Sequence, residues 1–110
     1  MELEFKLPYG KIAERKMSDI RNEIIKLWFH KSDMTKAVVS FNEYQHIGSG
    51  KNIYCEIMLN FHSEKHFIHT IGDSFEKCAM EAVRELREMS YQQELLQNEA
   101  FKKEANILVV

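Results

Sequence analysis

Residues 72–89, GDSFEKCAMEAVRELREM, constrain this chain more than any other stretch. Phe75, Ala79, Ala82, Val83, Leu86 and Met89 recur at helical spacing, which lines them along one side of a helix of about 3.6 residues per turn. Glu76, Lys77, Glu81, Arg84, Glu85 and Glu88 fill the other side. Gly72 breaks the preceding run, and Asp73 or Ser74 can accept hydrogen bonds from the free N–H groups of the first turn. A helix with one apolar side must bury it. Ala79 and Ala82, small and central in the stripe, let it lie close to its partner. Just upstream, residues 53–71 alternate like a pair of strands, so that partner is a sheet.

The rest of the chain supplies the sheet and a second helix. Residues 2–7, ELEFKL, alternate Leu3, Phe5 and Leu7 against Glu2, Glu4 and Lys6, a half-buried strand ended by Pro8 and Gly10. Over 13–30 the period changes. Met17, Ile20, Ile24, Leu27 and Trp28 form an apolar stripe, and Ser18 or Asp19 offers an alternative later start. Strands follow at 36–46, with Val39 and Phe41 inward, at 52–61, with Ile53, Cys55, Ile57, Leu59 and Phe61 on one face, and at 66–71. The link HIGSGKN suits a hairpin loop and His62 to Lys65 a polar turn.

The order is therefore β-α-β-β-β-α, which packs most economically as an α+β two-layer sandwich: a four-stranded sheet with both helices on one face. The other face is left open, with Val38, Ser40, Tyr44, Tyr54, Glu56, Met58, Ile68 and Thr70 as its expected occupants. Residues 1–90 form a single domain. Residues 91–110 are a C-terminal helical extension or tail, whose stripe thins to Leu95, Leu96 and Phe101 and whose end, Ile107 to Val110, is expected to fray unless a second chain covers it.

Composition narrows the function. At 110 residues the chain has one core, burying roughly two-thirds of its unfolded surface. No apolar run approaches the ~20 residues of a membrane span, and the N-terminus has no signal-peptide pattern. Cys55 and Cys78 stand apart, which reads as two reduced thiols, small buried hydrophobes in a cytoplasmic protein. The net charge of −2 is unevenly placed. Residues 11–36 hold seven Lys or Arg against four acids, and residues 73–104 five against eight. A phosphate-binding surface would lean on the first half.

With ELEFKL, the Trp28-Phe29 helix end, CEIMLN and DSFEKCAMEAVREL in view, the chain resembles the ribosome hibernation and sigma-54 modulation family, the group that includes protein Y. Glu56, Ile57, Leu59 and Asn60 sit at the positions of that family's third-strand pattern. Phe75, Glu76, Glu81, Ala82, Val83 and Leu86 sit at those of its last helix. The resemblance implies binding rather than catalysis: docking on the small ribosomal subunit near the decoding region, with Lys and Arg on the solvent side of both helices contacting ribosomal RNA. Here those positions are Arg15, Lys16, Arg21 and Lys26 on the first helix and Lys77, Arg84 and Arg87 on the second. Where such proteins end the last helix in a basic cluster, this chain reads Arg87-Glu88-Met89-Ser90-Tyr91-Gln92-Gln93.

Competing readings come from other residues. His62, His66 and His69 lie close in sequence, but His66 and His69 belong to opposite faces of a strand and no metal-ligand spacing joins them. No phosphate loop, nucleophile elbow or paired carboxylate appears, so nothing argues for an enzyme, a cofactor or a small-molecule substrate. The alternative function is a protein-interaction module that forms a homodimer through the open sheet face, where Tyr44, Tyr54 and Met58 lie, or through the tail. A double-stranded-RNA-binding type of domain is a third reading, opposed by the N-terminal strand and by the lack of a lysine cluster after Gly72.

Overall fold

The inward residues of β1 (Glu2–Lys6) sit beside those of β2 (Met34–His46) in a parallel pair, Leu3 by Ala37 and Phe5 by Val39. Parallel neighbours cannot be joined by a tight turn and need a crossover, which α1 (Glu14–His30) provides. β2, β3 (Gly50–Phe61) and β4 (Lys65–Gly72) then run antiparallel, giving the order β1-β2-β3-β4, and α2 (Phe75–Val109) closes the fold. The structure is a computed structural model that describes residues 1–7, 14–46 and 50–109, with side-chain surroundings for 1–7, 14–43 and 52–97.

Both helices cover the same face of the sheet. Ile20, Ile24 and Leu27 of α1 and Ala79, Ala82 and Leu86 of α2 are fully buried in one cluster with Val39, Phe41, Ile57 and Leu59. The start of α2 is capped by one bond and fixed to the sheet by two. Ser74 caps the helix, its Oγ accepting from Lys77 N–H at 3.2 Å. Cys78 Sγ donates to the Ile53 carbonyl at 2.9 Å, and Thr70 Oγ1 donates to the Cys78 carbonyl at 3.0 Å. Gly72 permits this approach, because a Cβ there would stand 3.2 Å from both Cys78 Sγ and Lys77 Cβ.

Two expectations are corrected. Ile68 and Thr70 are inward and buried, not on the open face. The hairpin closes with Phe61 N–H donating to Glu64 C=O at 2.8 Å, which sets Ile57 opposite Ile68 and Cys55 opposite Thr70. The run HFIHTI is apolar at both parities, so alternation alone could not choose. Phe67, His69 and Ile71 take the open face instead, opposite Met58, Glu56 and Tyr54. Trp28 lies at the margin of the α1 stripe and is 37% exposed. Of the two forms expected for residues 91–110, the helical extension is the one observed, with α2 continuing to Val109. Gln97 Nε2 donates to the His30 carbonyl at 2.8 Å, tying the extension to the open end of α1.

β2 and β3 also begin two residues earlier than the sequence places them, with an irregularity between Met34 and Lys36. The expected strand end at Pro8 and Gly10, the open-face position of the Tyr44 side chain, the loop tip at 47–49, and the side chains of Phe101 and Ile107 to Val110 lie outside the described residues.

Candidate nucleic-acid interface

α1 and α2 run side by side in the same direction. Lys16 shares a groove with Met80 and Arg84, Glu23 bonds Arg87, and the His30 carbonyl accepts from Gln97, so rising numbers on one helix match rising numbers on the other. The parallel pair follows from topology. α1 crosses back between parallel strands, and α2 returns over the same face after two antiparallel reversals.

The helical period sorts the seven candidate cations. Arg15 and Lys26 are eleven residues apart, about three turns, and so lie on one line along α1. Both are exposed, and the buried Ile20, Ile24 and Leu27 occupy the opposite side. Lys16 is rotated toward α2, where it helps line an open groove of about 310 Å³ with Asp19, Glu81, Arg84 and Arg87. Arg21 is rotated toward β1, its guanidinium 5.4 Å from the centre of the Phe5 ring, a cation–π geometry.

The α2 cations are differently placed. Lys77 pairs with Asp73 at 3.1 Å, Arg84 with Glu81 at 2.7 Å and Arg87 with Glu23 at 2.9 Å. Among the described residues no acid pairs with Arg15, Lys16 or Lys26. The structure thus divides the seven residues: three free cations on α1, one stacked on an aromatic ring, and three on α2 already held by carboxylates. The groove carries both signs, and the outer line of α1 carries Arg15 and Lys26, neither of them in an ion pair among the described residues.

Phe29 is a residue that the sequence reading left without a role. It is 83% exposed at the end of the α1 outer side, three residues from Lys26, and borders a shallow apolar depression with Trp28 and Ser32. Its signal was available: Phe29 falls off the apolar stripe, where a large aromatic has no packing reason to stand. Among the described residues no group of His, Cys, Asp or Glu is arranged to hold a metal ion, and no helix is long and apolar enough to cross a membrane.

Together these features define an α+β two-layer domain that presents a parallel helix pair with a cationic outer ridge. No family model matches the chain, and no curated protein matches it. Solved structures do share its fold. A ribosomal subunit interface protein from Coxiella burnetii superposes with a TM-score of 0.60 over 86% of this chain and 99% of its own, at 6% identity. The N-terminal domain of Thermus thermophilus Protein Y does so with a TM-score of 0.52 over 82% of this chain and 93% of its own, at 12% identity. At such identities the likeness carries the fold, and the fold is the one that the sequence resemblance implies.

Proposed function

We propose that this chain is a ribosome-associated translation inhibitor or hibernation factor that acts by binding, not catalysis, in the cytoplasm. It binds small-subunit ribosomal RNA through the outer ridge of its helix pair. The observation that carries the reading is the set of α1 cations without an ion pair, Arg15 and Lys26 on the outer line and Lys16 in the groove beside it, on a fold shared with a ribosomal subunit interface protein. Phosphate contacts supply most of the affinity in such complexes, and free Lys and Arg make them without first giving up an internal partner. Arg21 contributes from the β1 side. Lys77, Arg84 and Arg87 make weaker contributions, since each must share its charge with Asp73, Glu81 or Glu23. Phe29, exposed beside Lys26, is placed to stack on an unpaired base.

Co-sedimentation with purified small subunits tests this reading. The full chain is expected to pellet with 30S particles at low salt and to be released as salt rises. The Arg15→Ala, Lys16→Ala, Lys26→Ala triple variant is expected to stay in the supernatant. A wild-type chain that remains free at low salt, or a triple variant that binds equally well, overturns it.

A further inference from the structure

β4 is an edge strand, hydrogen-bonded to a neighbouring strand on the β3 side only. The opposite edge, β1, has five residues carrying Glu2, Glu4 and Lys6, the short charged form that discourages pairing with another chain. β4 is built otherwise. It has eight residues, KHFIHTIG, in unbroken register with β3, without proline and with Lys65 as its one permanently charged side chain. Phe67 and Ile71 stand exposed on the open face beside this rim. An edge so unguarded is a template for another strand.

The backbone decides which groups point outward. The closing hairpin pair, Phe61 and Glu64, is hydrogen-bonded. Bonded and non-bonded pairs alternate along an antiparallel ladder, so Phe67, His69 and Ile71 belong to non-bonded pairs with Met58, Glu56 and Tyr54. Their N–H and C=O groups, with those of Lys65, face away from β3.

We propose that this rim pairs with β4 of a second copy of the chain, antiparallel about a two-fold axis at His69, joining two four-stranded sheets into one. The carrying argument is self-complementarity. Pairing centred on His69 sets Phe67 opposite Ile71 of the second copy and brings Lys65 beside Asp73, the residue that follows β4, of the second copy, each contact made twice. On the inner face Ile68 meets Thr70, both already buried in the monomer. Moving the axis to Ile68 sets Lys65 against Ile71, and moving it to Phe67 sets Lys65 against His69. Only the axis at His69 matches apolar with apolar and base with acid, and it also engages the whole strand. Asp73 already pairs with Lys77 at 3.1 Å, and its carboxylate has acceptor sites for both lysines. The proposal is independent of the ribosomal reading, because the rim lies on the sheet and leaves the outer ridge of α1 uncovered.

Sedimentation equilibrium on the full chain tests it. The wild type is expected to dimerise with concentration. His69→Pro removes an N–H that β3 does not use, so it is expected to leave the circular dichroism unchanged and abolish the dimer. Lys65→Asp and Asp73→Lys set like charges opposite each other in their own dimers and are each expected to weaken association at least about tenfold. Mixed together, they restore both charge pairs and are expected to form a heterodimer. The mixing experiment stands even if the proline variant misfolds. A monomeric wild type, a dimer indifferent to these changes, or a mixture that stays monomeric overturns the proposal.

Discussion

Arg87 of α2 donates from Nε to Glu23 Oε1 of α1 at 2.9 Å, and the acid is far the less exposed partner, 13% against 65% for the arginine side chain. The second oxygen, Glu23 Oε2, is buried without a protein partner. Arg87 therefore compensates a nearly buried carboxylate as well as bridging the helices. Arg87→Ala is expected to lower stability by about 1–2 kcal/mol, because it strands that carboxylate. Arg87→Ala combined with Glu23→Leu is expected to recover most of the loss. Urea denaturation of the two single variants and the double variant measures the coupling; additive effects would show that the pair contributes nothing.

The same pair makes a functional prediction. Arg87→Ala and Arg84→Ala are expected to reduce 30S binding less than Lys26→Ala or Arg15→Ala, although all four remove one positive charge. Each phosphate that α1 no longer neutralises is expected to flatten the plot of log affinity against log salt by about 0.9, the duplex DNA value, with a similar trend for RNA. Equal losses and equal slope changes at all four positions would contradict the division between free and held cations.

Gly72 and Cys78 are coupled by packing. A methyl group at residue 72 would stand 3.2 Å from Cys78 Sγ, which is fully buried and held by its bond to the Ile53 carbonyl, so the sulfur has nowhere to retreat. Gly72→Ala is expected to cost about 1–3 kcal/mol, in the range of overpacking a filled core. Cys78→Ala in the same chain removes the sulfur side of the clash and is expected to reduce that cost. Thermal unfolding of the four combinations reads the coupling.

Burial pushes the Cys55 thiol from an ordinary 9.0 up to about 12, and burial also raises Cys78. The folded protein therefore holds its protons where the unfolded chain loses them. Stability from this source is complete below about pH 9 and falls as pH rises toward 12, since the unfolded state gains by ionising first. The urea midpoint is expected to drop as pH rises from about 9 toward 12, and Cys55→Ala is expected to flatten that drop. A thiol reagent at neutral pH should modify Cys55 only as fast as the protein unfolds.

Gln97, far along α2, caps the end of α1. Its side-chain amide reaches the His30 carbonyl at 2.8 Å, and Ser90, earlier on the same helix, is 1% exposed. Gln97→Ala is expected to cost about 1 kcal/mol, a typical net value for one hydrogen bond. Truncation after Ser90 is expected to cost at least as much. Chemical denaturation of both decides whether the extension belongs energetically to the domain.

Much of this was legible in the residues alone. The switch from period two to period 3.6 and back fixed the six elements and their order, because alternation and helical spacing are local properties of which side chains must be buried together. The inward faces of β2 and β3 and the Ile20–Ile24–Leu27 stripe were set in the same way, whereas the cap was left to Asp73 or Ser74 and the folded helix uses Ser74. The inward face of β4 was not, since HFIHTI offers apolar residues at both parities and only the hairpin register with β3 chose Ile68 and Thr70.

The partners of the cations were equally beyond the sequence. Arg15, Arg21, Lys26 and Arg87 look alike along the chain. Only packing α1 beside α2 brought Glu23 to Arg87, and only the parallel β1 brought Phe5 under Arg21. The length of α2 was decided there too, where the end of α1 supplied a carbonyl for Gln97 to meet. Local periodicity states which side of an element is apolar; which charges remain free depends on neighbours distant in sequence, and those exist only once the chain has folded.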